Sequence, residues 1–290
     1  MDEITNFSGR IIYTTKGAAH EYGRIGCNFY TGCPHNCVYC YLKRGAPSRQ
    51  LGGTEVQLKK CLKNVTHAAE VFNREIHRWL EPCQKYGVFL SFTTDPLIKE
   101  TRQLTLIAIF DCLFNDIPVR ILTKDATFIN DDKFMEALAD IDNDDRQFIH
   151  FGFTLTGHDE MEPNASSNAD RIKAMRTMQL LGFSTFASIE PVIDWQSAER
   201  VIRDSMYACD HYKIGLRSGV KRNYYDVQET GQSVIKIVNM INQVGLCTVY
   251  LKESTRKLLQ DYLLGKTYDL FMTRTVDMDG NKIPLPFTDV

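Results

Sequence analysis

The sequence predicts an α/β fold of parallel strands joined by crossover helices. The first indication is that short apolar runs alternate with longer amphipathic stretches, which is typical of strands each followed by a helix. The predicted strands are 88–93, 119–123, 148–155, 185–189, 212–216 and 248–251, and the predicted helices are 104–114, 131–138, 170–181, 196–206 and 233–244. About six such units are too few for a closed eight-stranded barrel, so a partial barrel and an open doubly wound sheet both fit.

The second indication is that turn residues lie at the ends of these runs. Asp95-Pro96 follows the first predicted strand, and Pro118 precedes the second. Gly182 and Gly245 follow the helices that begin at 170 and 233, and glycine commonly ends a helix. In either architecture, functional side chains gather at the carboxyl ends of the strands.

Composition and charge exclude some classes of protein. An apolar fraction of 43% with 24% charged residues is ordinary for a globular domain, and a net charge of −2 gives no chain-wide attraction to nucleic acid or anionic membrane. No run approaches the ~20 apolar residues of a membrane helix. The first residues also lack the basic and then apolar order of a signal peptide. We therefore expect a cytoplasmic protein with no membrane partner.

The cysteines are concentrated near the start of the chain. Four of the nine lie between Cys27 and Cys40, and Cys33, Cys37 and Cys40 have C-x3-C-x2-C spacing. An odd total in a reducing compartment favours thiol or metal chemistry over disulfides. A ferredoxin cluster would need Cys27 as a fourth ligand, and a structural zinc site would need a histidine such as His35. The third interpretation is a [4Fe–4S] cluster with three protein ligands and one open iron.

With Tyr39 directly before the last cysteine, this spacing resembles the signature of the radical S-adenosylmethionine superfamily. Further residues resemble the branch that contains spore photoproduct lyase and its DNA repair photolyase-like relatives; they are Thr94-Asp95-Pro96, Thr123-Lys124, Glu162-Pro163 and Arg171. The resemblance spans residues 25–216 and implies a partial (β/α)6 TIM-type barrel there. Residues 1–24 and 217–290 are then an N-terminal extension and a C-terminal extension packed on that core.

The resemblance also implies residues that bind the cofactors. Cys33, Cys37 and Cys40 would hold the cluster. The residues implied for S-adenosylmethionine are Tyr39 near the adenine, Thr94 and Asp95 at the amino group and ribose, Lys124 at the carboxylate and Thr154 near the ribose. Each has a structural alternative: Asp95-Pro96 would be a simple turn, for example, and Lys124 a solvated strand end.

Two further residues, Tyr41 and Glu190, are expected to be catalytic. Tyr41 matches the tyrosine that partners the hydrogen-donor cysteine of spore photoproduct lyase. Phe92 stands at the position of that cysteine and has no transferable hydrogen of that kind, which departs from the lyase pattern. Glu190 follows the predicted strand 185–189, where its carboxylate could accept hydrogen bonds from the ribose hydroxyls of the cofactor or from a substrate.

We therefore expect a radical enzyme whose cofactors are a [4Fe–4S] cluster and S-adenosylmethionine. An electron donor such as flavodoxin or ferredoxin would supply the electron, and a 5′-deoxyadenosyl radical would abstract hydrogen from an unidentified substrate. A nucleic acid or nucleotide is the first expectation for that substrate, and a small metabolite or peptide the next. Cations and aromatic residues in the segment Arg217–Tyr225 suit nucleic acid, although a solvated loop is the simpler interpretation. The alternative function is a non-catalytic binding module stabilised by zinc or an iron–sulfur cluster.

Overall fold

Helices and strands alternate along the chain. The structure is a computed structural model that describes residues 6–45, 48–221, 223–264 and 276. Residues 1–5 of the predicted N-terminal extension, Arg222 of the basic segment, and residues 265–275 and 277–290 of the predicted C-terminal extension lie outside the described residues. The strands are β1 Ile12–Thr14, β2 Ile25–Cys27, β3 Tyr30–Thr31, β4 Gln57–Leu58, β5 Val88–Leu90, β6 Val119–Thr123, β7 Ile149–Thr154, β8 Ser184–Val192, β9 His211–Leu216 and β10 Thr248–Leu251. The helices are α1 Ser48–Leu51, α2 Val65–Arg78, α3 Leu80–Tyr86, α4 Arg102–Phe114, α5 Asp132–Ala139, α6 Asn143–Arg146, α7 Asn168–Leu180, α8 Trp195–Ser205, α9 Val227–Val244 and α10 Glu253–Leu263.

The main sheet has eight strands in the order β1-β2-β5-β6-β7-β8-β9-β10. β1 is antiparallel to β2, and every other neighbouring pair is parallel. From β2 onward the spatial order follows the chain and never reverses, whereas a doubly wound sheet has a reversal at its switch point. The sheet order therefore confirms the partial TIM-type barrel, and the sheet is not closed.

Side-chain caps fix where several helices begin. The residues just before α2, α5, α7, α8 and α9 each accept a hydrogen bond from a backbone N–H in the first turn; they are Asn64, Asp131, Ser167, Asp194 and Asp226. Such caps satisfy donors that a helix start otherwise leaves unpaired. Gly245, with a left-handed backbone, ends α9, as the sequence predicts.

The predicted elements agree with the structure to within a few residues, except that α9 begins six residues before the predicted 233 and the strand predicted as 88–93 ends at Leu90. Strands β6 and β10 have the predicted bounds, 119–123 and 248–251. The helices α1, α2, α3, α6 and α10 were not among the predicted helices. No helix among the described residues is long and apolar enough to cross a membrane.

Described parts of both predicted extensions belong to the main sheet. β1 adds an antiparallel strand beside β2, and β10 adds a parallel strand beside β9. Behind β10, helices α9 and α10 pack closely: a Cβ atom built on Gly231 of α9 would overlap the ring of Tyr262 in α10. This contact is so close that only glycine fits at position 231.

Replacing Gly231 with alanine tests this packing. Alanine favours an isolated helix by about 1 kcal/mol over glycine, but overpacking against the Tyr262 ring costs about 1–3 kcal/mol. We expect Gly231→Ala to lower the free energy of unfolding in urea titrations. The exposed neighbour Gln232 supplies the control, since Gln232→Ala adds no such overlap. A Gly231→Ala protein that is more stable than the control variant would contradict the close contact.

Candidate active site

A cavity of about 610 Å³ opens at the carboxyl ends of the parallel strands. All of the site residues predicted from the sequence line it; they are Cys33, Cys37, Tyr39, Cys40, Tyr41, Thr94, Asp95, Lys124, Thr154 and Glu190. Lys124 directly follows β6, Thr154 ends β7, and Glu190 lies near the end of β8. The barrel therefore brings together side chains that are spread over more than half of the sequence.

The three cysteines lie on a loop between β3 and β4 whose backbone is held from several sides. The Cys33 N–H donates to the Gly53 carbonyl at 2.9 Å, and the Thr94 hydroxyl donates to the Gly32 carbonyl. Gly32 has a φ of +80°, and a Cβ atom there would overlap the Glu55 carbonyl. Glycine is thus required where the loop turns towards the strand ends.

The cavity is lined by three of the four cysteines that lie close together near the start of the chain. Burial raises the pKa of Cys33 to about 12 and also raises the pKa of Cys37, and a metal bound by these thiols would displace their protons. Among the described residues, no group of His, Cys, Asp or Glu is already arranged around a single metal ion. Cys27 is 0% exposed, packs in the hydrophobic core and is not among the residues that line the cavity, so it is not placed as a fourth ligand.

His35, the sequence's candidate for a fourth zinc ligand, has both ring nitrogens engaged. Its Nε2 lies 2.8 Å from Asp95 Oδ2, and its Nδ1 lies 3.0 Å from the Asn164 carbonyl oxygen. Both neighbouring atoms are acceptors only, so the two hydrogen bonds require an imidazole that donates from both nitrogens. The resulting charge is consistent with the direction of its pKa, which is raised because the hydrogen bond and charge of Asp95 outweigh burial. A doubly donating His35 does not bind zinc.

Asp95 lines the cavity, and its carboxylate is engaged by several groups of the protein. Its carboxylate accepts from the Thr123 hydroxyl at 2.7 Å and from the backbone N–H groups of Leu97 and Lys124 at 2.9 and 2.6 Å, in addition to His35. Burial acts to raise the pKa of Asp95, but these hydrogen bonds, led by that from His35, lower it to about 2. The carboxylate of Asp95 therefore has four donors within the protein, which is about as many as its two oxygens accept.

Tyr39 is fixed by a second buried network. Its hydroxyl donates to Glu162, whose other oxygen accepts from the Arg171 guanidinium. Arg171 is 0% exposed and also donates to the Thr154 carbonyl at 2.6 Å. Through Glu162 and Arg171, the network joins the cysteine loop to the end of β7. Glu162 and Arg171, which the sequence analysis grouped with the loop, thus have a structural role beside it.

Lys124 is the cation that remains free on the cysteine side of the cavity. Its ammonium lies 5.6 Å from the centre of the Tyr39 ring, and among the described residues it has no hydrogen-bond or ion-pair partner. Burial acts to lower its pKa, but the nearby Cys37 and Glu162 groups outweigh burial, and the pKa is raised. A charged and unpaired ammonium in a cavity is suited to an anionic group of a ligand.

Glu190 is engaged with two residues that sequence analysis did not single out as a site. Its Oε2 accepts from the Tyr22 hydroxyl at 2.5 Å and from the Lys252 ammonium at 2.6 Å. Lys252 directly follows β10, and that position at a strand's carboxyl end is the signal that could have found it. Tyr22 comes from the N-terminal extension and carries no such signal.

The Tyr41 hydroxyl donates to the Phe92 carbonyl.

Fold and site together define a partial-barrel α/β protein with a three-cysteine loop at the strand ends. Among solved structures, a mutant of spore photoproduct lyase is similar with a TM-score of 0.53 and 14% identity, over 89% of this chain and 64% of that chain. The lyase complexed with dinucleoside spore photoproduct gives 0.50 and 14%, over 89% and 66%. Streptococcus suis SuiB bound to S-adenosylmethionine gives 0.49 and 13%, over 70% and 47%.

At these identities the likeness to the lyase concerns the fold, and it confirms the partial barrel that the sequence resemblance implies. The chain spans 64% to 66% of the length of the two lyase structures. No protein-family model and no curated protein matches the chain.

The buried pair of Glu162 and Arg171 gives a stability prediction. Replacing Arg171 with methionine leaves the Glu162 carboxylate buried without its cation, which costs about 3–5 kcal/mol. We expect Arg171→Met to lower the free energy of unfolding by that amount in urea titrations. Arg176 lies on the same helix and is exposed, so Arg176→Met should change it by less than about 0.5 kcal/mol. If Arg171→Met changed the free energy of unfolding as little as Arg176→Met, the buried network would contribute nothing to stability.

Proposed function

We propose that this protein is a radical S-adenosylmethionine enzyme. The observation that carries the proposal is the arrangement of one cavity: three cysteines of one loop and the unpaired ammonium of Lys124 line it together. Three thiolates can hold a [4Fe–4S] cluster and leave one iron open, and the cation beside them matches the carboxylate of S-adenosylmethionine. The partial-barrel fold supports the same proposal, because it is the fold of spore photoproduct lyase.

In this proposal each residue has a defined task. Cys33, Cys37 and Cys40 bind the cluster, which with S-adenosylmethionine supplies a 5′-deoxyadenosyl radical when both are bound. Lys124 binds the carboxylate of S-adenosylmethionine. Tyr39, held by Glu162, presents its ring to the adenine.

Other residues position these groups or exclude water. Asp95 and Thr94 hold the cysteine loop against the strand ends, in place of the direct cofactor contacts expected from the sequence. Thr154 lines the cavity with a buried side chain, which suits contact with the ribose. The apolar rings of Phe89 and Phe92 stack with centroids 4.5 Å apart and line the same cavity, so they keep water from the reacting region.

For the substrate, a nucleic acid or nucleotide is the first candidate, and the support is the dinucleoside named in one lyase structure of the same fold. A small metabolite or peptide is the second candidate. Flavodoxin or ferredoxin is the proposed class of electron donor. We keep Tyr41 and Glu190 as the residues that face the substrate, because both line the cavity.

Metal analysis and product analysis test the function together. Protein purified and reconstituted without oxygen should hold about four iron atoms per chain and release 5′-deoxyadenosine from S-adenosylmethionine under strong reductant. Alanine at Cys33, Cys37 or Cys40 should remove both the iron and the product. Cys61 is exposed and lies outside the loop, so Cys61→Ala is the matched control and should retain both.

Zinc bound in place of iron would refute the enzyme and favour the alternative, a metal-stabilised binding module. Iron without 5′-deoxyadenosine would contradict the radical chemistry while leaving a cluster-stabilised module standing.

The charge of Lys124 gives a separate binding prediction. Removing it with Lys124→Gln loses a charge-assisted contact worth about 1.5–3 kcal/mol, so the Kd for S-adenosylmethionine should rise by about tenfold or more. Equilibrium dialysis, with each protein brought to equal iron content, measures that Kd. Lys99 is exposed and does not line the cavity, which makes Lys99→Gln the control. Equal affinities in the two variants would place the carboxylate elsewhere.

A further inference from the structure

The cavity is lined by more cationic side chains than carboxylates. The carboxylates are Asp95 and Glu190, and both are already paired inside the protein. His35 pairs with Asp95, and the Lys252 ammonium lies 2.6 Å from Glu190. Of the remaining cations on the lining, Lys43 is bound to neutral oxygens of Asn36 and Cys37.

Three cations are then left without a partner of opposite charge among the described residues: Lys16, Lys124 and Arg217. Lys124 is accounted for by the carboxylate of S-adenosylmethionine in the proposed function. Lys16 lies on the N-terminal segment and is exposed, so water solvates it. Arg217 is different, because it is partly buried at the end of a barrel strand.

Arg217 is held in place by its backbone. It directly follows β9, and its N–H donates to the Tyr225 hydroxyl at 2.8 Å. That hydroxyl donates in turn to the Val192 carbonyl at the end of β8, at 2.5 Å. On the other side, the Arg44 guanidinium donates to the Ser218 carbonyl at 2.7 Å and ties this segment to the region of the cysteine loop. The backbone at Arg217 is therefore fixed between two walls of the cavity.

The side chain of Arg217, by contrast, has no hydrogen-bond or ion-pair partner in the part of the chain that the structure describes. Its Nε atom is buried and has no hydrogen-bond acceptor, and no ion pair joins its guanidinium to any described residue. A buried donor without an acceptor costs about 1–3 kcal/mol, and more for a charged group. A guanidinium on a cavity wall with this deficit is suited to an oxyanion, because its planar fork binds two oxygens at once.

We propose that Arg217 anchors an oxyanion, a phosphate or a carboxylate, of the substrate. This inference rests on the proposed function for the identity of the cavity as an active site, and it narrows the substrate to an anionic compound. The anchor follows β9, three strands from Lys124 at the end of β6, so the substrate anion and the cofactor carboxylate have separate cations.

Direct titration with small anions tests the anchor. The probes are inorganic phosphate and, in a second arm, succinate, followed by isothermal titration calorimetry at low ionic strength. We expect one saturable site for at least one probe, and phosphate or succinate as the tighter ligand identifies which oxyanion fits. Arg217→Gln should weaken that binding by about tenfold or more. Arg217→Lys should restore it only in part, because lysine keeps the charge but not the fork.

Lys221 provides the matched control. It lies in the same segment and is exposed, and it is not among the residues lining the cavity, so Lys221→Gln should change the affinity by less than about twofold. Saturable binding that Lys221→Gln weakens as much as Arg217→Gln would show diffuse surface attraction and overturn the proposal. Absence of saturable binding for both anions would overturn it as well.

The assignment of Lys124 to the cofactor and of Arg217 to the substrate is tested by comparing the affinities of the two variants for both ligands. Lys124→Gln should weaken S-adenosylmethionine more than phosphate, and Arg217→Gln should weaken phosphate more than S-adenosylmethionine. The reverse order would assign Arg217 to the cofactor and refute a substrate anchor. Anion titration needs neither iron nor reductant, so a failure of radical chemistry is distinguishable from a failure of the Arg217 site.

Discussion

The arrangement of the site depends on the buried carboxylate of Asp95. It receives one hydrogen bond from the cysteine loop through His35 and three from the ends of β5 and β6 and the turns that follow them. A buried carboxylate is stable only when its oxygens are satisfied, and these four donors satisfy it. Because the donors come from separate parts of the chain, the carboxylate can keep its bonds only if the loop lies against the strand ends. Burial of the Asp95 carboxylate therefore requires the cysteine loop to lie against the strand ends.

A second buried ion pair completes the support from the other side. Glu162 accepts from Tyr39 and from Arg171, and Arg171 reaches the carbonyl at the end of β7. The polar groups that could reorganise near the cysteines are therefore bound to one another. Hydrogen-bonded networks of this kind hold the residues that contact a ligand in a fixed geometry. Among the described residues that line the cavity near the cysteines, the Lys124 ammonium has no hydrogen-bond or ion-pair partner. It is therefore available to a ligand.

The sequence predicts the elements better than it predicts the contacts between them. β6 and β10 are apolar runs whose ends are visible locally, so their bounds agree with the structure. The strand-end location of Lys124 follows from the same pattern. The contact of Tyr22 with Glu190 joins residues 168 positions apart and has no periodicity or spacing that would reveal it. Asp95 was singled out from the sequence and lines the cavity, but its four hydrogen-bond donors can be counted only from coordinates.

The cavity that results is divided by charge and polarity. The cysteines and Lys124 line it together with the stacked rings of Phe89 and Phe92, and Arg217 follows β9, the strand between β8, which carries Glu190, and β10, which its partner Lys252 follows. Ligand sites commonly combine an apolar lining with a few placed polar groups that fix orientation. An anion at Arg217 would fix one end of a substrate while the apolar rings cover another part of it. Phe92 lines the same cavity, and its ring stacks on that of Phe89 with centroids 4.5 Å apart, so the two rings cover this part of the wall with apolar surface.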